Sequence, residues 1–538
     1  MKKHLYMFGI FAALAAFIIF PKWTVDDAYI TYRYAANLAN HAELTWNPGE
    51  DPIEGYTGVA MPVIMAAIIK LGLSPVVTGK IIGVLAFILG GIFLNLILRL
   101  LRLRSSAVSL ALILYLTAPF MVVHAYSGLE TMLFTAMILV SIYFLLSVLI
   151  KTDRIKTCLN CLYISLLFLS LVRPEGVILA VTSTIALGII TLKYDRMNLK
   201  VFAFRFILLY FLPGSIYFVW RISYYGQVLP NTFYAKSSAA FFNLFSILKF
   251  VQFSIFFLLL PALILLILYL MNKKSAVKHF KQHFSFIPKP GFTVTLISLA
   301  AFSFLVLFQY MRSQLLMNYE FRFYVPFFPV FLLFLGIFMN SGFSLFDQNS
   351  AADSKAGLKT PARRIAGITL AVLLLLQAAV YAKQFKKYMF FKRGYEMMMA
   401  AEQIAAGKFL KENVPPDEWL IVIHDVGAIP YFSELKTVDY SRLNDEYLSR
   451  KKLTGEQITD YFYSFNAGAL AITSYKWDVL EQVWIHGDEV SLIASDPRFE
   501  NYRLVKKFRS DVPPDHPGYD YFMFVYLRND LAESSDTE

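Results

Sequence analysis

Apolar positions along this chain do not alternate, and mostly do not recur at helical spacing; they run together. Uninterrupted apolar runs lie near 5–21, 76–98, 107–125, 131–150, 158–172, 177–192, 206–224, 250–270, 291–311, 326–340 and 365–383. A helix that crosses a bilayer needs about 20 apolar residues, or as few as ~17. These eleven runs therefore predict a polytopic membrane protein. A twelfth and weaker run, 58–73, carries Pro62 and Lys70.

The pattern changes after residue 383. Charges and turn residues appear, and a helical stretch over 395–413 stops before Pro415-Pro416. Short strand-like segments follow: WLIVIH at 419–424, ALAIT at 469–473, then YRLVKKF and YFMFVYL near the end. Alternating helix and strand signals predict a small α/β domain. The expected fold class is thus mostly α, a polytopic membrane protein with about eleven transmembrane helices and a C-terminal extracytoplasmic α/β domain. The expected units are 1–383, with a first outer loop over 22–75, and 384–538.

Charge decides how the weak run is treated. If 58–73 lies on the outer surface, the inner loops hold 21 Lys and Arg and the short outer segments hold 8. Counting it as a span would invert every later loop, against the excess of basic residues on the cytoplasmic side of membrane proteins. The N-terminus is expected inside and the C-terminal domain outside the cell (inner or plasma) membrane. The first run has no small-x-small site after Phe20 and is expected to be retained rather than cleaved.

Composition agrees. Charged residues make up 16% and hydrophobic ones 57%, which excludes a soluble enzyme or a disordered chain. The net charge of +12 follows the inner loops, so no nucleic-acid partner is implied. Cys158 and Cys161 form a CxxC pair inside an apolar run; two further ligands for zinc are missing, and the pair reads as two small apolar helix residues.

The informative polar residues gather at the outer ends of the runs. They are Asp26, Asp27 and Arg33, then Glu54 and Tyr56 in EGYT, and Glu130 in SGLET. Arg173 and Glu175 follow in RPEG, then Asn231 and Lys236 in LPNTFYAK, Arg322 in FRFYVP, and His424 and Asp425 in the C-terminal domain. Plain readings exist for several. One of the two aspartates could cap a helix over 28–39. Ser127 and Glu130 fit an S-x-x-E capping box. Arg173 and Glu175 could pair across a hairpin, and Arg322 could snorkel to the interface.

Together these residues set carboxylates beside basic groups at one membrane level. Arginine suits a lipid phosphate because its planar fork binds two oxygens. A carboxylate beside a polarised carbon can take the proton of an attacking hydroxyl. Sugar transfer from a lipid phosphate needs both, and a single base opposite the leaving group implies inversion, by analogy with inverting glycosidases. A divalent cation (Mg, Mn or Ca) on Asp26 and Asp27 could neutralise the phosphate as well; the sequence leaves this open.

The order of motifs resembles the GT-C membrane glycosyltransferases, and within them the group of terminal arabinofuranosyltransferases. The motifs are a DD pair after the first span, EGYT, SGLET, RPEG, LPNTFYAK, RFYVPFFP, an outer D-x-G and VDYSRLND. The resemblance implies a polyprenyl-phosphate sugar donor and a glycan or glycolipid acceptor outside the membrane. It implies a first-loop aspartate as base, here Asp27 or Asp26. It places Arg173, Lys236 and Arg322 at the donor phosphate, and His424 and Asp425 over the acceptor. Alternative readings are a transferase acting on protein or lipid A, and a transporter of lipid-linked glycan.

Overall fold

The computed structural model describes residues 11, 13–194, 197–235, 243–258, 263, 289–313, 315, 317–343, 360–451, 453–481 and 489–535. Among these, seven helices are long and apolar enough to cross a membrane. They are Pro75–Leu100, Thr131–Ile150, Ile155–Val172, Gly176–Lys193, Leu199–Tyr225, Gly291–Arg312 and Tyr319–Asn340. The predicted run at 107–125 falls on an eighth, broken span: Ser105–Thr117 and Pro119–Tyr126 meet at 50°. Proline at 119 explains the break, since it has no N–H to continue the first piece and suits the first turn of the second. The weak run at 58–73 forms only the 11-residue helix Ala60–Lys70, too short to span. The predicted run at 365–383 lies inside the helix Thr360–Met398. Those at 5–21 and 250–270 lie partly outside the described residues.

Burial sorts the spans. In Tyr319–Asn340 and Thr131–Ile150, 83% and 72% of the apolar window is buried, against 6% in Leu199–Tyr225. The first two form the centre of the bundle. The last presents Phe211, Ile216, Val219 and other large apolar side chains outward. Such a face is unfavourable in water and satisfied by lipid. Cys158 and Cys161 sit on Ile155–Val172 as free thiols.

The C-terminal part is an α/β unit, as the sequence predicts. Its five strands are β1 (Trp419–Ile423), β2 (Lys436–Asp439), β3 (Ala469–Ser474), β4 (Tyr502–Phe508) and β5 (Phe522–Arg528). The order is β2-β1-β3-β5-β4; the first three are parallel, β5 runs antiparallel to β3, and β4 runs antiparallel to β5. The short β2 is the strand that apolar patterning does not reveal. The approach to this unit is helical throughout. Thr360–Met398 has 39 residues, and passes through a π turn at Met399–Ile404 into Ala405–Asn413. At about 1.5 Å per residue its first part alone is roughly 58 Å long.

Strand alternation divides the sheet into two packed faces. Ile421, Ile423, Leu470, Ile472 and Phe524 pack against Ile458, Phe462 and Ile493. Leu420, Val422, Ala469, Ala471 and Val525 share a core with Ile30, Tyr34, Trp46 and Tyr56 of the first loop. The first loop is therefore part of the sheet domain's own core, which joins the domain to the membrane bundle.

Candidate functional site

The helix Asp26–His41 follows Val25 directly, and both aspartates lie in its first turn rather than at its cap. An acidic first turn is favourable there, because the helix N-terminus carries partial positive charge. The two side chains point to different partners. Asp26 is buried and reaches the sheet domain: Oδ2 accepts the N–H of Gly427 and Oδ1 that of Ala428, both at 2.8 Å. Burial, with the neighbouring Asp425 and Asp27 carboxylates, pushes the Asp26 carboxyl up, against the pull of these two donors.

Asp27 faces the bundle instead. Its Oδ2 accepts from Arg322 Nη1 at 3.2 Å, and 17% of its side chain is exposed against 7% for Arg322. Arg322 also donates through Nη2 to Glu130 Oε1 at 3.3 Å. Glu130 Oε1 in turn accepts from Arg173 Nη1 at 2.5 Å. Arg173 then grips Glu175 with Nη2 at 2.8 Å and Nε at 3.3 Å, and Tyr310 Oη donates to Glu175 Oε1 at 2.7 Å. The result is a buried chain, Asp27–Arg322–Glu130–Arg173–Glu175–Tyr310. Burial opposes charge on Glu130, but Arg322 and Arg173 outweigh it and hold the carboxylate down at about 2. Glu175 is held low by Arg173 in the same way.

The capping box expected at Ser127 and Glu130 does not form. The helix begins at Thr131 with no side-chain cap, and Ser127 Oγ bonds locally to His124 and Leu129. The Glu130 side chain is thereby left for the two arginines. The hairpin pairing of Arg173 with Glu175 does form. The turn that carries it is pressed against the first loop at Gly58, where any side chain would overlap the Val172 carbonyl.

Two cavities meet at this chain. The larger, about 560 Å³, is lined by Arg173, Glu175, Tyr310 and Arg322 at a polar end, with Ile178 and Phe308 among its apolar walls. Ile178 and Phe308 belong to the spans Gly176–Lys193 and Gly291–Arg312. The smaller, about 40 Å³, is lined by Asp27, Tyr56, Glu130 and Arg322. Arg322, Thr57 and Thr232 belong to both linings. An amphipathic ligand fits the first cavity, and a hydroxyl or a water fits the second.

The remaining candidates lie elsewhere. Arg33 donates to Trp46 O, Pro430 O, Asn47 Oδ1 and Leu435 O, tying the first loop to the sheet domain. Glu54 pairs with buried Arg221. Asn231 holds the carbonyls of Arg442, Leu443 and Asp445, next to Thr232 of the cavity wall. Asp425 accepts from Tyr521, Gln403 and Thr473, and His424 Nδ1 lies 3.1 Å from Tyr521 Oη. Asp425 stands close enough to Asp26 for the two carboxylates to repel. Lys236 lies outside the described residues.

Sequence reading missed Arg221 and Tyr310, and saw Gly427 only as part of the D-x-G motif. Arg221 had a signal, as the one charge in the run 206–224. Tyr310 had none. For a cation, Asp26 and Asp27 alone make a poor site. The oxygens of Asp26 already accept two backbone N–H groups, and no cluster of three or more His, Cys, Asp or Glu suited to a metal occurs among the described residues.

Comparison with known proteins places the fold. ArnT from Cupriavidus metallidurans, solved with undecaprenyl phosphate, superposes with a TM-score of 0.57 over 98% of both chains, at 13% identity. The oligosaccharyltransferase AglB from Archaeoglobus fulgidus, solved with an inhibitory peptide and a dolichol-phosphate, gives 0.55 over 99% of this chain and 77% of AglB, at 12% identity. At these identities the likeness is one of fold. Residues 393–526 match a family described as a domain of unknown function, DUF8728. No curated protein sequence matches the chain.

Proposed function

We propose that this chain is a membrane glycosyltransferase. It moves a sugar from a polyprenyl-phosphate donor to a hydroxyl of a glycan or glycolipid outside the membrane, with Asp27 as base. The observation that carries this reading is the position of Arg322, which walls both the amphipathic cavity and the small cavity that holds Asp27.

In this reading the polyprenyl chain lies along Ile178 and Phe308, and its phosphate meets Arg322 and Arg173. A phosphate on Arg322 competes with Asp27 for Nη1. Donor binding thus releases the carboxylate from its ion pair and leaves it free to face the acceptor hydroxyl. The acceptor hydroxyl attacks the anomeric carbon from the Asp27 side and gives its proton to that carboxylate. The bond from the anomeric carbon to the phosphate oxygen breaks, and the phosphate leaves as an anion held by the guanidiniums. Attack opposite the leaving group inverts the centre. Asp26 holds the sheet domain through Gly427 and Ala428 and keeps the helix that presents Asp27 in place. Arabinofuranose remains one candidate sugar, and no step requires a cation.

The test is transfer by purified protein in nanodiscs, with a panel of polyprenyl-phosphate sugars. Wild type is expected to release polyprenyl phosphate from at least one donor. Asp27→Asn should bind the lipid at least as tightly, because the competing carboxylate on Arg322 is gone, and transfer about 10²–10⁴-fold more slowly, the range of a lost general base. Intact lipid binding with no release from any donor would overturn the reading in favour of transport.

A further inference from the structure

A third cavity, about 520 Å³, opens beside the site and has no part in the chemistry above. Its walls include Tyr224, Tyr225, Tyr447, Tyr461, Asp51 and Glu446. We infer that it is a distal subsite for a carbohydrate acceptor whose bound units are neutral or carry an amino group. This rests on the transferase reading.

Three observations carry it. The cavity neighbours the one that holds Asp27 along two chain segments. Gly55 and Leu443 line the small cavity, and Ile53 and Asp445, two residues away on each segment, line this one. Two residues of extended chain cover about 7 Å, a separation that a ligand of a few sugar units spans. Tyr225 Oη lies 3.1 Å from Tyr56 Oη, which joins the two walls directly.

The second observation is the aromatic wall. Tyr447 and Tyr461 stack with ring centroids 4.4 Å apart, and Tyr461 Oη is fixed by donating to Asp445 Oδ2 at 2.8 Å. Tyr224 meets Tyr225 edge to face at 4.8 Å. Rigid aromatic side chains supply contact area at little entropic cost.

The third is charge. The lining carries Asp51, Asp445 and Glu446, and no Lys, Arg or His among the described residues. Ionised carboxylates only accept hydrogen bonds, so they favour hydroxyl or ammonium donors and repel uronates and phosphates. Glu446 has a partner in Arg450 at 3.4 Å, whereas Asp51 is exposed. No strand of the sheet lines the cavity, so it offers no edge for an extended peptide.

The experiment is saturation-transfer NMR on the full chain in nanodiscs, without donor. The probes are maltotriose, a chitosan trisaccharide, trigalacturonic acid and a trilysine peptide. Maltotriose or the chitosan trisaccharide is expected to bind, and trigalacturonate is not. Asp51→Lys and Tyr461→Ala should each weaken that binding at least tenfold and leave undecaprenyl phosphate affinity unchanged; an unaltered melting temperature checks the fold. No binding by either trisaccharide, equal binding of trigalacturonate, or binding unaffected by both substitutions would overturn the subsite. Trilysine as the only ligand would also overturn it and point to a basic peptide. Trisaccharide binding in a protein that transfers from no donor would keep the subsite and sink the transferase reading. Transfer that ignores acceptor length and these substitutions would sink the subsite alone.

Discussion

The carboxylate of Asp26 accepts the backbone N–H of Gly427, 401 positions further along the chain, at 2.8 Å. A residue that opens the first-loop helix thus caps the short helix Ala428–Ser433 of the sheet domain. The neighbouring side chain, Asp27, points instead to the arginine chain. One turn of helix therefore serves two ends: Asp26 holds a domain, and Asp27 faces the cavity.

Gly427→Ala tests the clamp. Any Cβ at 427 would overlap the Asp26 carbonyl and carboxylate. Overpacking of this kind costs about 1–3 kcal/mol. A lower melting temperature and faster proteolysis within 393–526 are expected, with unchanged polyprenyl-phosphate affinity. An unaltered melting curve would mean that the domain is held elsewhere.

Arg322→Lys tests the phosphate assignment. Lysine keeps the charge but not the fork that reaches Asp27 and Glu130 together. Losing one charge-assisted hydrogen bond costs about 1.5–3 kcal/mol, so the Kd for undecaprenyl phosphate should rise roughly 10–100-fold. Lipid titration in nanodiscs reads this directly, and an unchanged Kd refutes the assignment.

Glu54 and Arg221 test the value of a buried pair. Arg221→Met strands Glu54, and breaking such a pair costs about 3–5 kcal/mol. Adding Glu54→Leu should recover much of the lost stability, because the stranded charge is gone. Thermal unfolding of the two variants side by side decides it; no recovery would show that Glu54 has a separate partner.

The pH dependence of stability has a predicted sign. Burial pushes Glu402 up to about 8 and Asp439 up to about 7. A raised carboxyl keeps its proton in the folded state after the unfolded chain has lost it. Stability should therefore fall as pH rises from about 4.5 to about 8 and level off above. Glu402→Gln keeps an acceptor for the Ser510 N–H and should remove about half of that fall, leaving the part due to Asp439. Melting temperatures from pH 5 to 9 measure it. Glu130, held at about 2, acts in the other direction: its contribution is lost only as pH falls below about 4.5.

The orientation is open to chemical labelling. Asp417 is exposed in the turn before β1. In an otherwise cysteine-free protein, Asp417→Cys should react with a membrane-impermeant maleimide added outside intact cells. Reaction only after lysis would invert the topology drawn from the loop charges.

Much of this architecture was legible in order along the chain. Spanning helices satisfy their own backbone, so apolar run length alone announces them, and seven of the runs became full-length helices. Four of the five strands carried their own apolar patterns; β2, with only four residues, did not. The candidate residues at the ends of the runs were also visible, because ionisable groups at membrane depth are costly and stand out. Their partners were not. Glu130 reads as a cap in sequence and becomes the centre of a two-arginine cluster only when Thr131–Ile150 and Tyr319–Asn340 pack together. Asp26 and Asp27 look equivalent as neighbours. They part because successive residues of a helix point about 100° from each other, so one carboxylate meets the sheet domain and the other Arg322. Sequence spacing carries local geometry and burial cost, whereas the choice of partner across hundreds of residues is made by packing.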